Sequence, residues 1–199
     1  AVVARTLQLA TTFASLVAGL AVDSLLGVED TERAVKIRKT LIACGPFWIK
    51  LGQALSIRPD VLSPRAMVEL QKLCDKVPSF DSGLAFATME EELGQPVSSV
   101  FSSITPEPVA AASLGQVYKA TLRNGGDTVA VKVQRPFVLE TVSLDLYLFR
   151  QAGLLLKKLP TDVFSDRLDV VTLLDEFARR FYDELDYRIE CDNGERMRR

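Results

Sequence analysis

The 199-residue chain has no histidine, only three cysteines and one tryptophan, and no excess of positive charge. Without histidine it has no imidazole for metal binding, for acid–base catalysis or for a Ser-His-Asp or Cys-His pair. Its 24 basic and 26 acidic side chains give a net charge of -2, which provides no basic surface for a nucleic-acid backbone. We therefore expect no metal site in this segment and no nucleic-acid partner.

The three cysteines, Cys44, Cys74 and Cys191, are far apart in the chain and form no CxxC pair. This spacing favours buried, reduced thiols over a metal site or a disulfide. The chain begins with Ala1 and stops inside a helical pattern without a Gly or Pro stop signal. We therefore expect it to be a piece of a longer protein.

No residue between Arg5 and Asp23 is charged. The run approaches the roughly 17–25 residues of a membrane-spanning helix, but polar side chains interrupt it. We expect a buried or interfacial helix rather than a span. Residues 1–30 are assigned to an apolar N-terminal helix, with membrane association as the alternative.

Apolar residues recur every three or four positions from Ile37 to Leu55, which predicts an amphipathic helix with Thr31 as its candidate cap. Gly45-Pro46 interrupts this stripe and should kink or divide the helix, because proline removes a backbone donor and clashes with the preceding turn. Ser63-Pro64 has the residue types of a helix cap followed by a first turn.

A further helix is predicted from Asp81 to Gly94, and prolines with Ser and Thr then replace the helical pattern. We place a domain boundary there, with residues 31–94 as a helical extension. Two β-prone runs flank Asn124-Gly125, a strong hairpin signal. Helical periodicity returns after Pro136. The sequence predicts an α+β fold with residues 95–199 as a β-containing lobe with inserted helices.

The hairpin carries a pattern that is typical of phosphate sites. In protein kinases a G-x-G-x-x-G-x-V loop covers the ATP phosphates, and a V-A-I-K lysine on a following strand pairs with them. Here alanine stands at the first two glycine positions, and Val129-Ala130-Val131-Lys132 provides the lysine strand. The candidate nucleotide-binding residues are Ala110, Ala111, Ala112, Ser113, Gly115, Val117, Ala130 and Lys132.

Strand alternation places Lys132 on one face with Ala130 and Gln134, a small-residue face that suits a nucleotide. The alternative is an edge-strand lysine that reaches water. Because a Cβ atom restricts positive φ, the alanines stiffen the loop relative to one built of glycine. We expect nucleotide handling to differ from that of an ordinary kinase.

Several ordered motifs accompany this pattern over residues 30–199, and together they resemble the UbiB, or aarF-domain, family of atypical kinases. They are Lys50-Leu51-Gly52-Gln53, Ser56-Ile57-Arg58-Pro59-Asp60, Leu62-Ser63-Pro64, Ala110-Ala111-Ala112-Ser113, Val129 to Lys132 with Gln134-Arg135-Pro136, and Glu184-Leu185-Asp186-Tyr187.

The resemblance implies a partial protein-kinase-like fold. In it, the helical extension carrying the K-x-G-Q residues Lys50, Gly52 and Gln53 packs over the nucleotide cleft as a regulatory element. It also implies binding of ATP or ADP with Mg²⁺, whose ligands we expect beyond residue 199. The implied role is membrane-associated support of ubiquinone or other prenylquinone metabolism, with isoprenoid-quinone lipids and their biosynthetic proteins as partners. The implied location is a mitochondrion or plastid in a eukaryote, or a bacterial inner membrane or cytoplasm.

Helical periodicity puts Glu184 in or beside an apolar arc, so its carboxylate needs a cationic partner. Lys132 is the functional candidate, because kinases pair a strand lysine with a helix glutamate, and Arg188 is the alternative. These two residues, Lys132 and Glu184, are the catalytic candidates. On the same straight helix Asp186 projects from the opposite face, and the family pattern alone singles it out as a regulatory candidate.

The 199 residues contain no H-R-D or D-F-G pattern. We therefore expect this segment alone to be inactive and the full-length protein to be an atypical kinase or ATPase. The alternative is a nucleotide-gated pseudokinase scaffold or a lipid-handling protein that phosphorylates no protein.

Overall fold

The computed structural model describes residues 1–74, 77–156 and 170–198. The chain forms two compact units, Ala1–Val138 and Leu139–Arg199. Within unit 1 we call residues 1–74 the helical half and residues 77–138 the sheet half.

The helical half contains α1 (Val2–Leu25), α2 (Asp30–Cys44), α3 (Pro46–Leu55) and α4 (Pro64–Gln71). The predicted interruption at Gly45-Pro46 is confirmed, because Gly45 adopts a φ of 103° and separates α2 from α3. The predicted cap at Ser63 is confirmed by the hydrogen bond from the Ala66 N–H to its hydroxyl, at 3.2 Å. The predicted cap at Thr31 is wrong, since Thr31 lies inside α2 and the N-cap is Glu29, which makes no side-chain cap bond.

The N-terminal helix α1 lies on the surface of the helical half. Only Leu9 and Asp23 of its 24 residues are buried, so a buried helix is wrong, and an interfacial helix stays a prediction. The ring of Phe13 contacts that of Trp48 with centroids 4.6 Å apart, and Asp23 accepts from Lys36. By length and composition alone, α1 is long and apolar enough to cross a membrane. Core helices of soluble proteins and signal sequences meet the same two criteria.

The sheet half contains α5 (Ser82–Leu93), α6 (Val97–Val100), β1 (Phe101–Ile104), β2 (Ala110–Ala111), β3 (Gly115–Leu122) and β4 (Thr128–Gln134). Strand β3 is central, because it pairs antiparallel with each of the other three strands. The predicted hairpin is confirmed, and Gly125 and Gly126 turn it with positive φ values of 96° and 72°.

Helix α5 runs between the predicted caps, with Asp81 accepting from the Leu84 N–H at 3.0 Å and Gly94 in a left-handed conformation. Our predicted boundary at residue 95 assigns this helix to the extension. In the structure Ala85 and Met89 of α5 share one buried cluster with Tyr118 and Val133 of the sheet. The helix packs there because the sheet needs a cover for its apolar face.

Unit 2 contains α7 (Val138–Leu156, whose first residue belongs to unit 1), α8 (Val170–Leu185) and α9 (Tyr187–Arg198). The ion pair between Arg150 and Asp175, at 2.9 Å, joins α7 to α8. A second contact between them is the hydrogen bond from the Tyr182 hydroxyl to Ser143, at 2.9 Å.

The three cysteines are free thiols, as predicted. Only Cys44 is buried, so the prediction of burial is wrong for Cys74 and Cys191.

Candidate functional site

The alanine loop folds as a tight hairpin at the start of β3. Ala110 pairs with Val117 and Ala111 with Gln116, and the Ala112 N–H donates to the Gly115 carbonyl at 2.8 Å. Ser113 and Leu114 form the tip of this hairpin, and both are buried. The segment that the kinase pattern aligns with a phosphate-covering loop is therefore an ordered turn.

None of residues 110–115 adopts a positive φ. Alanine therefore fits the first two glycine positions without backbone strain, because strain from a Cβ atom arises in the left-handed region. Ala110 and Ala112 are exposed and Ala111 is half-buried. Methyl groups thus stand at the surface of the hairpin, where a glycine loop would present bare backbone.

Lys132 lies on the sheet face opposite the core. It pairs with Val117 across β3 and β4, and Val117 pairs in turn with Ala110, so the three residues form one row across the sheet. Ala130 and Lys132 are exposed, whereas Val133 is buried against α5. The predicted alternation of β4 is confirmed. Its candidate residues share one exposed face.

A second lysine, which our sequence reasoning missed, lies on this face. Lys119 is exposed and pairs with Ala130, one alternation step along β3 from Val117. The two lysines are diagonal neighbours in the strand register, a spacing at which long side chains interact. The exposed face therefore carries two positive charges and suits an anionic ligand. The alternation of β3 was the signal that could have found it.

The opposite face of the same strands holds the segment that joins the helical half to α5. The side-chain amide of Gln116 accepts from the Phe80 N–H at 3.0 Å and donates to the Phe80 carbonyl at 3.3 Å. Arg135 lies over the Phe80 ring, with its guanidinium carbon 5.1 Å from the ring centroid, and donates to the Pro78 carbonyl at 2.9 Å. Burial lowers the pKa of Arg135.

The K-x-G-Q residues lie on α3, within the helical half. Gln53 donates from its side-chain amide to the Leu73 carbonyl at 2.8 Å. A Cβ atom on Gly52 would stand 2.5 Å from Leu73 Cδ1 and 2.7 Å from Leu41 Cδ1. A helical glycine can admit a neighbouring backbone, but Gly52 instead admits two leucine side chains. Lys50 is half-buried.

The predicted continuous helix through Glu184 and Asp186 is wrong, because α8 ends at Leu185 and α9 begins at Tyr187. Asp186 caps α9 by accepting from the Arg188 N–H at 3.1 Å, and its carboxylate also pairs with the Arg188 guanidinium at 2.8 Å. The hydrogen bonds from Arg188 hold the pKa of Asp186 below its ordinary value, and the bond from the guanidinium has a larger effect than the bond from the backbone N–H.

Glu184 is exposed, beside the stripe formed by the buried Phe181 and Leu185. It belongs to unit 2 and Lys132 to unit 1. Pairing of these two catalytic candidates therefore stays a prediction.

A fully buried carboxylate, Asp145 of α7, was also missed. Its position was visible in the sequence, because it lies within one helical turn of Val142 and beside Leu146, both of which are buried. Among the described residues, no group of three or more potential His, Cys, Asp or Glu ligands is placed to hold a metal ion.

A family model described as the ABC1 atypical kinase-like domain matches residues 72–199. The chain belongs to this family. The predicted resemblance to aarF-domain atypical kinases is thereby confirmed, and the observed α+β architecture is consistent with a partial kinase-like fold. The ABC1 match includes the hairpin, Lys132 and Glu184. The K-x-G-Q residues precede it.

Protein ACTIVITY OF BC1 COMPLEX KINASE 3, chloroplastic, of Arabidopsis thaliana is 48% identical over 168 residues, which cover 84% of this chain and 23% of that protein. An uncharacterized aarF domain-containing protein kinase of the same plant, also chloroplastic, is 45% identical over 167 residues, covering 84% and 24%. The chain thus spans about a quarter of the length of these ABC1-family relatives. Their chloroplastic names are compatible with a plastid location.

A solved structure, the complex of Rv3197 with erythromycin from Mycobacterium tuberculosis, is 32% identical with a TM-score of 0.46, covering 71% of this chain and 34% of that one.

Proposed function

We propose that the full-length protein binds ATP or ADP on the exposed face of the β3–β4 hairpin and acts as an atypical kinase or ATPase. The observation that supports this most is the row formed by Ala110, Val117 and Lys132 across three neighbouring strands. In a kinase-like site, the strand lysine pairs with the nucleotide phosphates while the loop covers them. Lys119 adds a second positive charge to the same face.

The proposed roles follow from these positions. Ala110 to Ser113 and Gly115 form the loop over the nucleotide phosphates, Val117 forms part of the wall of the site, and Ala130 leaves room beside Lys132. Lys132 pairs with the phosphates and, in the nucleotide-bound state, with Glu184. The ligands of Mg²⁺ lie beyond residue 199.

The proposed biological role is support of prenylquinone metabolism at a membrane, in a plastid. The chloroplastic relatives favour the plastid over the mitochondrion. Exposed apolar side chains on α1, among them Val3, Leu7 and Val17, favour an association with lipid. Isoprenoid-quinone lipids or the proteins that process them are the proposed partners.

A second candidate is a nucleotide-gated scaffold or lipid-handling pseudokinase. The alanine hairpin favours it, since exposed methyl groups replace the backbone amides that approach phosphates in a glycine loop. In that case nucleotide binding shifts a conformation and no protein is phosphorylated. The K-x-G-Q helix would be the regulatory element of either function.

Thermal unfolding of the full-length protein with and without Mg-ATP or Mg-ADP tests nucleotide binding. Ligand at about 100 times its Kd should stabilise the wild type by about 2.7 kcal/mol. Lys132→Ala should abolish the stabilisation, whereas Lys39→Ala, at an exposed lysine of α2, should retain it. A folded wild type with no shift would contradict the nucleotide site.

Product analysis separates the two functions. Labelled phosphate released to water or transferred to an acceptor supports a kinase or ATPase. A nucleotide-dependent stability shift without any turnover supports the scaffold.

A further inference from the structure

Residues 78–82 connect the helical half to α5, and they are held on the back of the candidate nucleotide hairpin. We call Pro78, Phe80, Gln116 and Arg135 the linker cluster. Gln116 is fully buried. Its amide bonds both backbone groups of Phe80, as a neighbouring β-strand would.

The rest of the Gln116 side chain is also fixed. Its Nε2 donates to the Tyr118 hydroxyl at 2.7 Å, and that hydroxyl donates to Ser82 at 3.1 Å. A side-chain amide has two N–H donors and one oxygen, and all three are used here. The linker is therefore bonded at Phe80 and Ser82 to two successive inward residues of β3.

Arg135 joins the linker to the tip of the hairpin. Its backbone N–H donates to the Leu114 carbonyl at 2.8 Å, while its guanidinium bonds the Pro78 carbonyl and lies over the Phe80 ring. A planar guanidinium can stack on an aromatic ring and donate in its own plane at the same time. One residue thus contacts both the linker and the loop tip.

The linker cluster and the candidate nucleotide site use opposite faces of the same backbone. Gln116 points to the linker and its neighbour Val117 to the row with Lys132. Gly115 pairs with Gln134, directly before Arg135. Any displacement of the linker therefore acts on the strand ends that carry the loop tip.

The chain just before the linker contacts the K-x-G-Q helix α3. Gln53 bonds the Leu73 carbonyl, and Gly52 is packed against the Leu73 side chain. Leu73 is fully buried and lies only five positions before Pro78. The contacts of α3 thus hold the chain at Leu73, and those of Arg135 hold the linker at Pro78 and Phe80.

We propose that Gln116 and Arg135 are positioning residues that couple the helical half to the nucleotide loop, so that the seating of the linker sets the nucleotide affinity. This inference rests on the proposed nucleotide site. Neither residue touches the nucleotide; both act through the backbone of residues 114–117. Because coupling between two sites is reciprocal, bound nucleotide must also tighten the linker.

The test measures both directions in the full-length protein, with Mg-ADP as the probe. Titration gives the Kd, and hydrogen exchange at the Phe80 amide, whose proton is donated to Gln116, gives the seating of the linker. In the wild type, saturating Mg-ADP should slow this exchange by about tenfold, within the usual range for coupled sites. Arg135→Lys keeps the charge and the backbone bond to Leu114 but loses the planar fork. It should weaken Mg-ADP binding by about tenfold and abolish the slowing of Phe80 exchange by Mg-ADP.

Two further variants make the result specific. Phe80→Leu removes the ring below the guanidinium and keeps the backbone bonds to Gln116. It should also weaken Mg-ADP binding, and it replaces Arg135→Lys in the test if that variant fails to fold. Arg123→Lys is the matched control, because the Arg123 guanidinium also donates to a carbonyl, that of Ser98 at 2.6 Å, at the far end of β3. It should leave the Kd unchanged.

A folded Arg135→Lys protein with faster exchange at Phe80 but a Kd within about twofold of the wild type would overturn the coupling and leave the nucleotide site standing. A wild type that binds no Mg-ADP or Mg-ATP would instead refute the proposed function, and the coupling with it.

Discussion

Among the described residues of unit 1, the helical half buries carboxylates as well as the neutral Ser56, and the sheet half buries only neutral polar side chains. Both buried carboxylates described in this unit, Asp23 and Glu69, lie in the helical half, and both form ion pairs. The buried polar side chains described in the sheet half, Ser113 and Gln116, are neutral. Ion pairs fix the helices to one another, whereas backbone and amide hydrogen bonds, together with the Arg135 guanidinium, support the loop tip.

Because of this difference, pH and salt should change the stability of the helical half more than that of the sheet half. Ion pairs depend on the protonation of a carboxylate and on screening, while a neutral amide does not titrate. The hydrogen-bonding groups that support the face with Lys132 therefore do not themselves titrate with acid, whereas the carboxylates of the helical half do. Breaking each support in turn tests this contrast.

The largest effect is expected at Glu69. Its carboxylate accepts from Arg38 at 2.7 Å and from Lys72. Removing one partner of a buried ion pair costs about 3–5 kcal/mol, and the partial exposure of Lys72 places Glu69→Ala near about 3 kcal/mol. Hydrogen exchange of the α2 and α4 amides measures this loss of local stability. Unchanged protection would show that charge does not hold the helical half together.

The dependence of local stability on pH is a second test of the Glu69 ion pair. Burial alone raises the pKa of Glu69, but hydrogen bonds from Lys72 and Arg38 outweigh it and hold the pKa below its ordinary 4.5. The stabilisation is therefore present above that ordinary value and is lost as the pH falls through the lower folded pKa. Glu69→Gln should remove this acid-dependent loss of protection from the α2 and α4 amides.

Local patterns predicted most of the fold. The Gly45-Pro46 break, the Ser63 and Asp81 caps and the Asn124-Gly125 hairpin each depend on a few adjacent residues, and the structure contains all four. Strand alternation also placed Lys132 on the exposed face correctly. These features need no knowledge of which elements meet.

The remaining features depend on contacts between distant parts of the chain. Nothing near Gln116 in the sequence shows that its amide bonds Phe80, 36 residues earlier. Helical periodicity alone carried the helix through Asp186, because it ignored the ability of an aspartate to cap a new helix. The sequence of α1 is apolar whether or not a neighbour covers it, so its exposure could not be predicted.

An intermediate effect is expected from Gln116→Leu in the sheet half. The leucine would leave the Phe80 N–H and carbonyl without their partner, at a cost of about 1–3 kcal/mol for a buried unsatisfied group. The amides of residues 79–82 should lose protection from hydrogen exchange by a similar factor at every pH, whereas the loss at Glu69 depends on pH. Gln71→Leu, on the exposed side of α4, should change stability by less than about 0.5 kcal/mol. A pH-dependent loss at Gln116→Leu would erase the contrast between the two halves.

The smallest effect separates packing from charge within the helical half. Gly52→Ala gains about 1 kcal/mol of helix propensity, but its Cβ atom would overlap Leu41 and Leu73, and overpacking costs about 1–3 kcal/mol. Both leucines are buried, so the net result should be a loss of about 1 kcal/mol. Gly19→Ala in α1 is the matched control, since no atom lies within 4 Å of its Cβ position, and it should stabilise by about 0.5–1 kcal/mol. Hydrogen exchange of the α3 amides in Gly52→Ala and of the α1 amides in Gly19→Ala shows whether each variant loses or gains local stability. If both variants stabilise, Leu73 has room to move, and the K-x-G-Q helix does not hold the start of the linker by packing.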